Sequence, residues 1–209
     1  MLSWTLGIAA TAIGLWAGYT HFYEGGLGQP EYTVLEAKDG VEYRRYAPFV
    51  IASTQTNRDG QRGLSSGFRV LAGYIFGGNQ QDESIAMTTP VLQQNAEGES
   101  LPMTAPVLQS SDEMRMAFVM PAGRTVDDLP LPQSSKVSLN DVDWGEAVAI
   151  RFAGRGRQAR FKKAEAKLRE VLQVDGRTAR APALYAQYNS PSAFPPLRRN
   201  EVIIPLEPK

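Results

Sequence analysis

One order of elements occurs twice in this chain: a turn, a buried-type strand, a loop and then an amphipathic helix. RYAPFVIAST (Arg45 to Thr54) lines up with DWGEAVAIRF (Asp143 to Phe152), weak in residue identity but matched in order. After the first, Leu64 to Phe76 carries Leu64, Phe68, Leu71, Ala72, Ile75 and Phe76 at helical spacing and is closed by Gly77-Gly78. After the second, Gln158 to Gln173 carries Phe161, Ala164, Leu168, Val171 and Leu172 and is stopped by Asp175-Gly176. Around them, alternating patterns predict strands at Tyr32 to Ala37, Val41 to Tyr46, Phe49 to Thr56, Met114 to Val119, Lys136 to Val142, Glu146 to Phe152, Leu184 to Tyr188 and Glu201 to Leu206. Asp39-Gly40 supplies the turn of the first hairpin. Doubling of this kind predicts an α+β fold: a distorted antiparallel β-barrel of two pseudo-symmetric β-α-β halves with two outer helices, preceded by an N-terminal hydrophobic helix.

Between the halves, MTTPVLQ (Met87 to Gln93) and MTAPVLQ (Met103 to Gln109) agree at six of seven positions, 16 residues apart. Proline donates no ladder hydrogen bond, so each copy belongs at a sheet edge, a bulge or the start of a strand. Equivalent positions in the two halves are the expected places for them. Methionine beside proline at a strand start reads as core filler, and Met87, Met103 and Met120 are expected inside.

From Met1 to Tyr23 there is no Asp, Glu, Lys or Arg. Twenty helical residues reach roughly 30 Å, the thickness of a bilayer's hydrocarbon core. Trp4 at one end and Trp16, Tyr19 and Tyr23 at the other suit interfacial aromatic belts. Residues 1–23 are therefore expected to be a membrane anchor, with a signal peptide or a buried helix as alternatives. Residues 24–30, EGGLGQP, read as a linker, and 31–209 as the folded domain. An anchor of this kind most often exports the domain attached to its C-terminal end, so the domain is expected on the extracytoplasmic side, the periplasm in a bacterium.

Composition removes whole classes of chemistry. The chain has no cysteine and one histidine, His21, which excludes thiolate nucleophiles, iron–sulfur clusters and multi-histidine metal sites. Lys+Arg and Asp+Glu both number 22, so no global charge draws the chain to nucleic acid. The basic stretch from Arg155 to Arg169 is interleaved with Glu165 and reads as a solvated helix face. No pair of carboxylates or Ser–His–Asp set is suggested, and an enzyme is not expected.

Five motifs in order, IAMTTPV (Ile85 to Val91), MTAPV, FVMP (Phe118 to Pro121), RFAG (Arg151 to Gly154) and AQYNSP with PPLRRNEVIIPL after it (to Leu206), make Glu31 to Leu206 similar to the SOUL haem-binding protein family. The resemblance implies the barrel already argued from element order, and it implies binding of haem or another porphyrin. It places the ligand in a shallow apolar groove between the first helix and the loop before the last strand. Carried over residue by residue, that groove is Arg62, Arg69, Val70, Gly73 and Tyr74 on the helix, and Tyr188, Phe194, Leu197 and Arg198 on the loop. Arg69 and Arg198 are the candidates to hold porphyrin carboxylates, since a guanidinium gives them bidentate, charge-assisted hydrogen bonds. His21 lies beside the anchor and is not expected to ligate iron. Doubled β-α-β halves also resemble the ligand domains of bacterial multidrug-responsive regulators, which leaves a small-molecule effector-binding or sequestering module without DNA binding as the alternative.

Overall fold

The computed structural model describes residues 14–22, 24–57, 61–95 and 113–208. Residues 14–22 are helical (α1). The strands are β1 (Tyr32–Lys38), β2 (Val41–Tyr46), β3 (Phe49–Asn57), β4 (Val91–Asn95), β5 (Glu113–Val119), β6 (Ser138–Val142), β7 (Glu146–Ala153), β8 (Leu184–Gln187) and β9 (Arg199–Pro205). Two longer helices, α2 (Gln61–Ile75) and α3 (Gln158–Val174), lie near the expected positions, and Glu24–Gly26 and Pro195–Leu197 form short 3-10 turns. Asp39 and Gly40 have φ of 52° and 76°, the left-handed pair that a tight hairpin between β1 and β2 requires.

The strands form one antiparallel sheet in the order β1-β2-β7-β9-β8-β4-β5-β3-β6. Apart from β1, this order is a palindrome about the β8–β4 contact, where Leu92 pairs with Ala186 and Gln94 with Leu184. The two halves are thus related as the sequence order predicted. Their first strands are exchanged: β2 pairs with β7, and β6 with β3.

Only Ala47 and Pro48 separate β2 from β3, although these strands stand second and eighth in the sheet. Laid flat, six strand intervals would span roughly 29 Å, whereas a two-residue link reaches roughly 11 Å. The sheet must therefore roll until its ends meet. No ladder joins β1 to β6, so among the described residues this is a rolled open sheet rather than the closed barrel expected from sequence. Aromatic rings sit at the junction instead: Trp144, in the β6–β7 turn, meets Tyr46 and Phe49 edge-on at 5.0 and 4.9 Å.

Rolling gives the sheet two faces. The outer face carries both long helices, α2 over β3 and β5 with Leu71, Tyr74 and Ile75 buried, and α3 over β7 and β9 with Phe161, Leu168 and Leu172 buried. Gly67 lets α2 come close, since an added Cβ would stand 3.4 Å from both Met116 Sδ and Thr56 Cβ. The inner face collects Tyr46, Ile51, Leu92, Ala117, Val142, Trp144, Leu184, Tyr188 and Ile203 in one cluster. Phe76 departs from its expected place in the helix core: it bridges Ser84 beyond the end of α2 and is 63% exposed.

Pro90 directly precedes β4, so the first repeat does start a strand. The second repeat, with Met103, lies outside the described residues, within the β4–β5 connection. Of the methionines, Met120 is core as expected, whereas Met87, on the loop before β4, is 40% exposed.

Candidate functional site

α2 presents its outward side to solvent. Arg69 and Gly73, one helical turn apart, are exposed, and a Cβ added at Gly73 would meet nothing within 4 Å. Arg69 has no hydrogen-bond or ion-pair partner among the described residues. A free guanidinium thus stands beside a patch bare of side chains, with half-exposed Phe68 on the same helix. Val70 is half-buried against the α2 core, and Tyr74 is buried, its hydroxyl donating to the Pro130 carbonyl at 2.9 Å. Burial raises the Tyr74 pKa, consistent with a packing role. Arg62 opens α2, but its side chain lies outside the described residues.

The loop before β9 holds the other predicted residues. Arg198 is committed to loop carbonyls, with Nε donating to Ala193 O at 2.9 Å and Nη2 to Pro191 O at 2.6 Å. Desolvation and the charge of Arg155 pull its pKa below the ordinary value. Leu197 is 45% exposed, while Tyr188 is buried on the inner face. Phe194 is covered by α1: its ring meets Trp16 edge-on at 5.0 Å, and its N–H donates to the Thr20 hydroxyl at 2.9 Å.

α1 and residues 24–30, expected as an anchor end and a loose linker, are pinned to the domain. Trp16 Nε1 donates to Ser192 O at 2.7 Å. The buried Glu24 carboxylate accepts from Ser190 Oγ at 2.6 Å and Asn189 Nδ2 at 3.0 Å. Gly28 O accepts from Thr89 N at 2.7 Å, and Gln29 from Arg199 at 3.0 Å. The segment therefore touches the loop before β9 on one side and the loop after α2 on the other. The 3-10 turn of the loop half lies against β7. The only histidine, His21, is exposed on α1. Among the described residues no cluster of metal-ligating side chains occurs, and no helix is long and apolar enough to cross a membrane.

Inside the rolled sheet lies a charged cluster that sequence reasoning missed. Glu201, with no exposed surface, accepts from Arg44 at 2.8 and 3.1 Å, from the Tyr188 hydroxyl at 2.8 Å and from Arg199 Nε at 2.9 Å. Arg44 also pairs with Glu42 at 2.8 Å and lies 4.4 Å from the Tyr32 ring centroid, and Arg199 lies 3.8 Å from that of Tyr188. Burial alone would raise the Glu201 pKa, but the Arg44 bonds and the two cationic charges outweigh it and hold the carboxyl below its ordinary value. Burial, and then the Glu201 charge, push the Tyr188 hydroxyl well up. The signal was a single acid beside the apolar run VIIPL, a buried charge that needs a partner.

On the inner face, Ile51, Leu92, Ala117, Val142, Trp144 and Leu184, bordered by Gln94 and Arg115, line a small apolar pocket of about 20 Å³. Among the described residues the buried Trp144 indole N–H has no hydrogen-bond partner.

Comparison with solved structures supports the fold. The chain is similar to an uncharacterised conserved protein from Listeria innocua, at 15% identity and TM-score 0.54, with 81% of this chain and 93% of that one covered. A hydrolase from Listeria innocua matches at 15% identity and TM-score 0.51 over 83% and 94%. The C-terminal domain of EcmrR matches at 10% identity and TM-score 0.58 over 85% and 99%. At these identities the likeness is one of fold alone. No curated protein matches. The family described as "SOUL heme-binding protein" matches residues 27–205, nearly the whole rolled sheet and both outer helices, and the chain belongs to that family.

Proposed function

We propose that this protein binds haem or a free porphyrin on the outward side of α2 and carries or buffers it, without a histidine ligand to iron and without catalysing a reaction. Family membership supports the ligand class, and the observation that carries the site is Arg69: a guanidinium with no partner among the described residues, beside the bare patch at Gly73. A porphyrin offers a wide apolar face and two carboxylates, and this surface supplies one cation for a carboxylate and room for the face. Phe68, Phe76 and Met87 are exposed enough to contact an apolar ring. Iron, when present, would meet no fixed imidazole, so binding rests on surface burial. Arg198 is already bonded to its own loop and serves as a positioning residue for Leu197 rather than as a free rim cation.

The decisive experiment is a titration of the full chain with haem and, separately, with protoporphyrin IX. Saturable one-to-one binding of both with similar Kd is expected. Arg69→Gln should weaken both about tenfold, the value of one charge-assisted hydrogen bond. Absence of saturable binding would overturn the reading.

We further propose that the N-terminal segment holds the domain at a membrane, on its extracytoplasmic side. What supports this is the charge-free run to Tyr23 together with the outward side of α1, where Leu15 and Phe22 are 72% and 81% exposed. A second reading, small-molecule effector binding or sequestration, is favoured by one observation, the pocket on the inner face of the sheet.

A further inference from the structure

Charge is spread unevenly over the second half of the chain. From Ala147 to Ala164 there are six Lys or Arg and no Asp or Glu. Glu165 pairs with Arg169 at 2.7 Å, so the interleaving expected along α3 neutralises only its later turns. Arg155, Arg157, Arg160, Lys162 and Lys163 are all exposed, and none has an ion-pair partner among the described residues. Arg160 folds back from α3 over the Phe152 ring, 5.1 Å from its centroid. It also lies over Gly154, where φ is 95° and an added Cβ would stand 2.5 Å from Arg160 Nη1. The glycine thus gathers a helix cation onto the turn that carries Arg155. Like charges held together without an anion make a local positive field suited to an anionic surface.

A second, independent observation indicates which surface. The Arg155 turn is held to the loop before β9, where the Gly154 N–H donates to Arg198 O at 3.2 Å. The same loop carries α1, through Trp16 on Ser192 and Thr20 on Phe194. Residues 189–198 contain no acid, and Glu24 beside them is buried and bonded to Ser190 and Asn189. The charge-free N-terminal run therefore meets the domain one loop away from the unpaired cations, with Leu15, Phe22 and Leu197 exposed around the junction. Exposed apolar side chains next to clustered cations match the boundary of an anionic bilayer, apolar within and negative at the headgroups.

We propose that the β7–α3 turn and the first turns of α3 form a docking face for anionic phospholipid headgroups. Arg155, Arg157, Arg160 and Lys163 meet the phosphates, and Leu197 reaches the apolar boundary. The inference rests on the membrane reading of the N-terminal segment and adds the lipid class and the side of the domain that lies on it.

The test sediments the full chain with vesicles of phosphatidylcholine and with equimolar phosphatidylcholine and phosphatidylglycerol. Expected is binding at least about tenfold tighter to the mixed vesicles, a gain lost in the triple variant Arg155→Gln, Arg157→Gln, Lys163→Gln and in high salt, with circular dichroism unchanged. Because the chain has no cysteine, Ala159→Cys and Val174→Cys each give one labelling position, at opposite ends of α3 and roughly 22 Å apart. Spin-labelled headgroups should quench a dye at position 159 and spare one at 174. Equal binding to both vesicles with the triple variant indistinguishable from the parent, or equal quenching at both positions, would overturn the headgroup face while leaving the N-terminal anchor. Binding to neither vesicle would overturn both. Salt-sensitive binding to polyglutamate tighter than to the mixed vesicles would overturn the lipid assignment in favour of an acidic protein.

Discussion

Glu201 shows how one side chain can set the pH response of the whole domain. Its folded pKa is lowered, so the stability it contributes is fully present above the unfolded carboxyl value of about 4.3 and is lost as pH falls through the folded value. Glu146, hydrogen-bonded to Arg177 and Arg45, adds a contribution of the same sign. Glu201→Gln leaves buried Arg44 and half-buried Arg199 short of an anion and turns an amide N–H toward one of them. Urea unfolding at pH 7 should show a loss of about 3–5 kcal/mol, the cost of breaking a buried pair from one side. The difference from the parent should shrink as pH is lowered below about 4, because the parent then loses the same charge. An unchanged gap from pH 7 to 3 would count against this account.

Among the elements, those with a clear period were legible and those fixed by tertiary contact were not. Leu71 and Ile75, or Phe161, Leu168 and Leu172, recur at helical spacing, and their helices lie where the spacing placed them. Arg44 could not be read in this way, since VEYRRY alternates as an edge strand would, and only the rolled sheet turns its fourth residue inward. In the predicted groove, Arg69 and Gly73 are indeed open, but Tyr74 and Tyr188 look alike in sequence and both point into cores. The docking of α1 was hidden for a related reason: Thr20 and Glu24 read as a blemish in an apolar run and the start of a linker, yet both are buried against the loop before β9. Glu24→Ala should free this latch at a cost of about 1–3 kcal/mol, the desolvation penalty of the donors it leaves unmet. Limited proteolysis should then cut within residues 24–30 faster than in the parent while the rest of the domain resists; equal rates would show that α1 is held by Trp16 and Phe194 alone.

At the scale of the whole molecule, each half builds three neighbouring strands by itself, β3-β5-β4 or β7-β9-β8, and the exchange of first strands ties the two together. β2 needs β7 and β6 needs β3, so the two halves share one cooperative unit, and long-range pairing of this kind predicts slow folding. Separately expressed halves, cut between β5 and β6, should each show less strand signal by circular dichroism than their share of the parent and should gain it on mixing; full strand signal in either half alone would contradict the pairing. The same exchange has a consequence during synthesis. Val41 waits for Ile150, about a hundred residues downstream, which at ribosomal speeds of about 5–20 residues per second leaves the nascent β1–β2 hairpin with a bare edge for roughly 5–20 s. Until β7 emerges, that edge is a docking place for any other extended chain, so a holding chaperone or a crowded polysome meets this protein at its first hairpin.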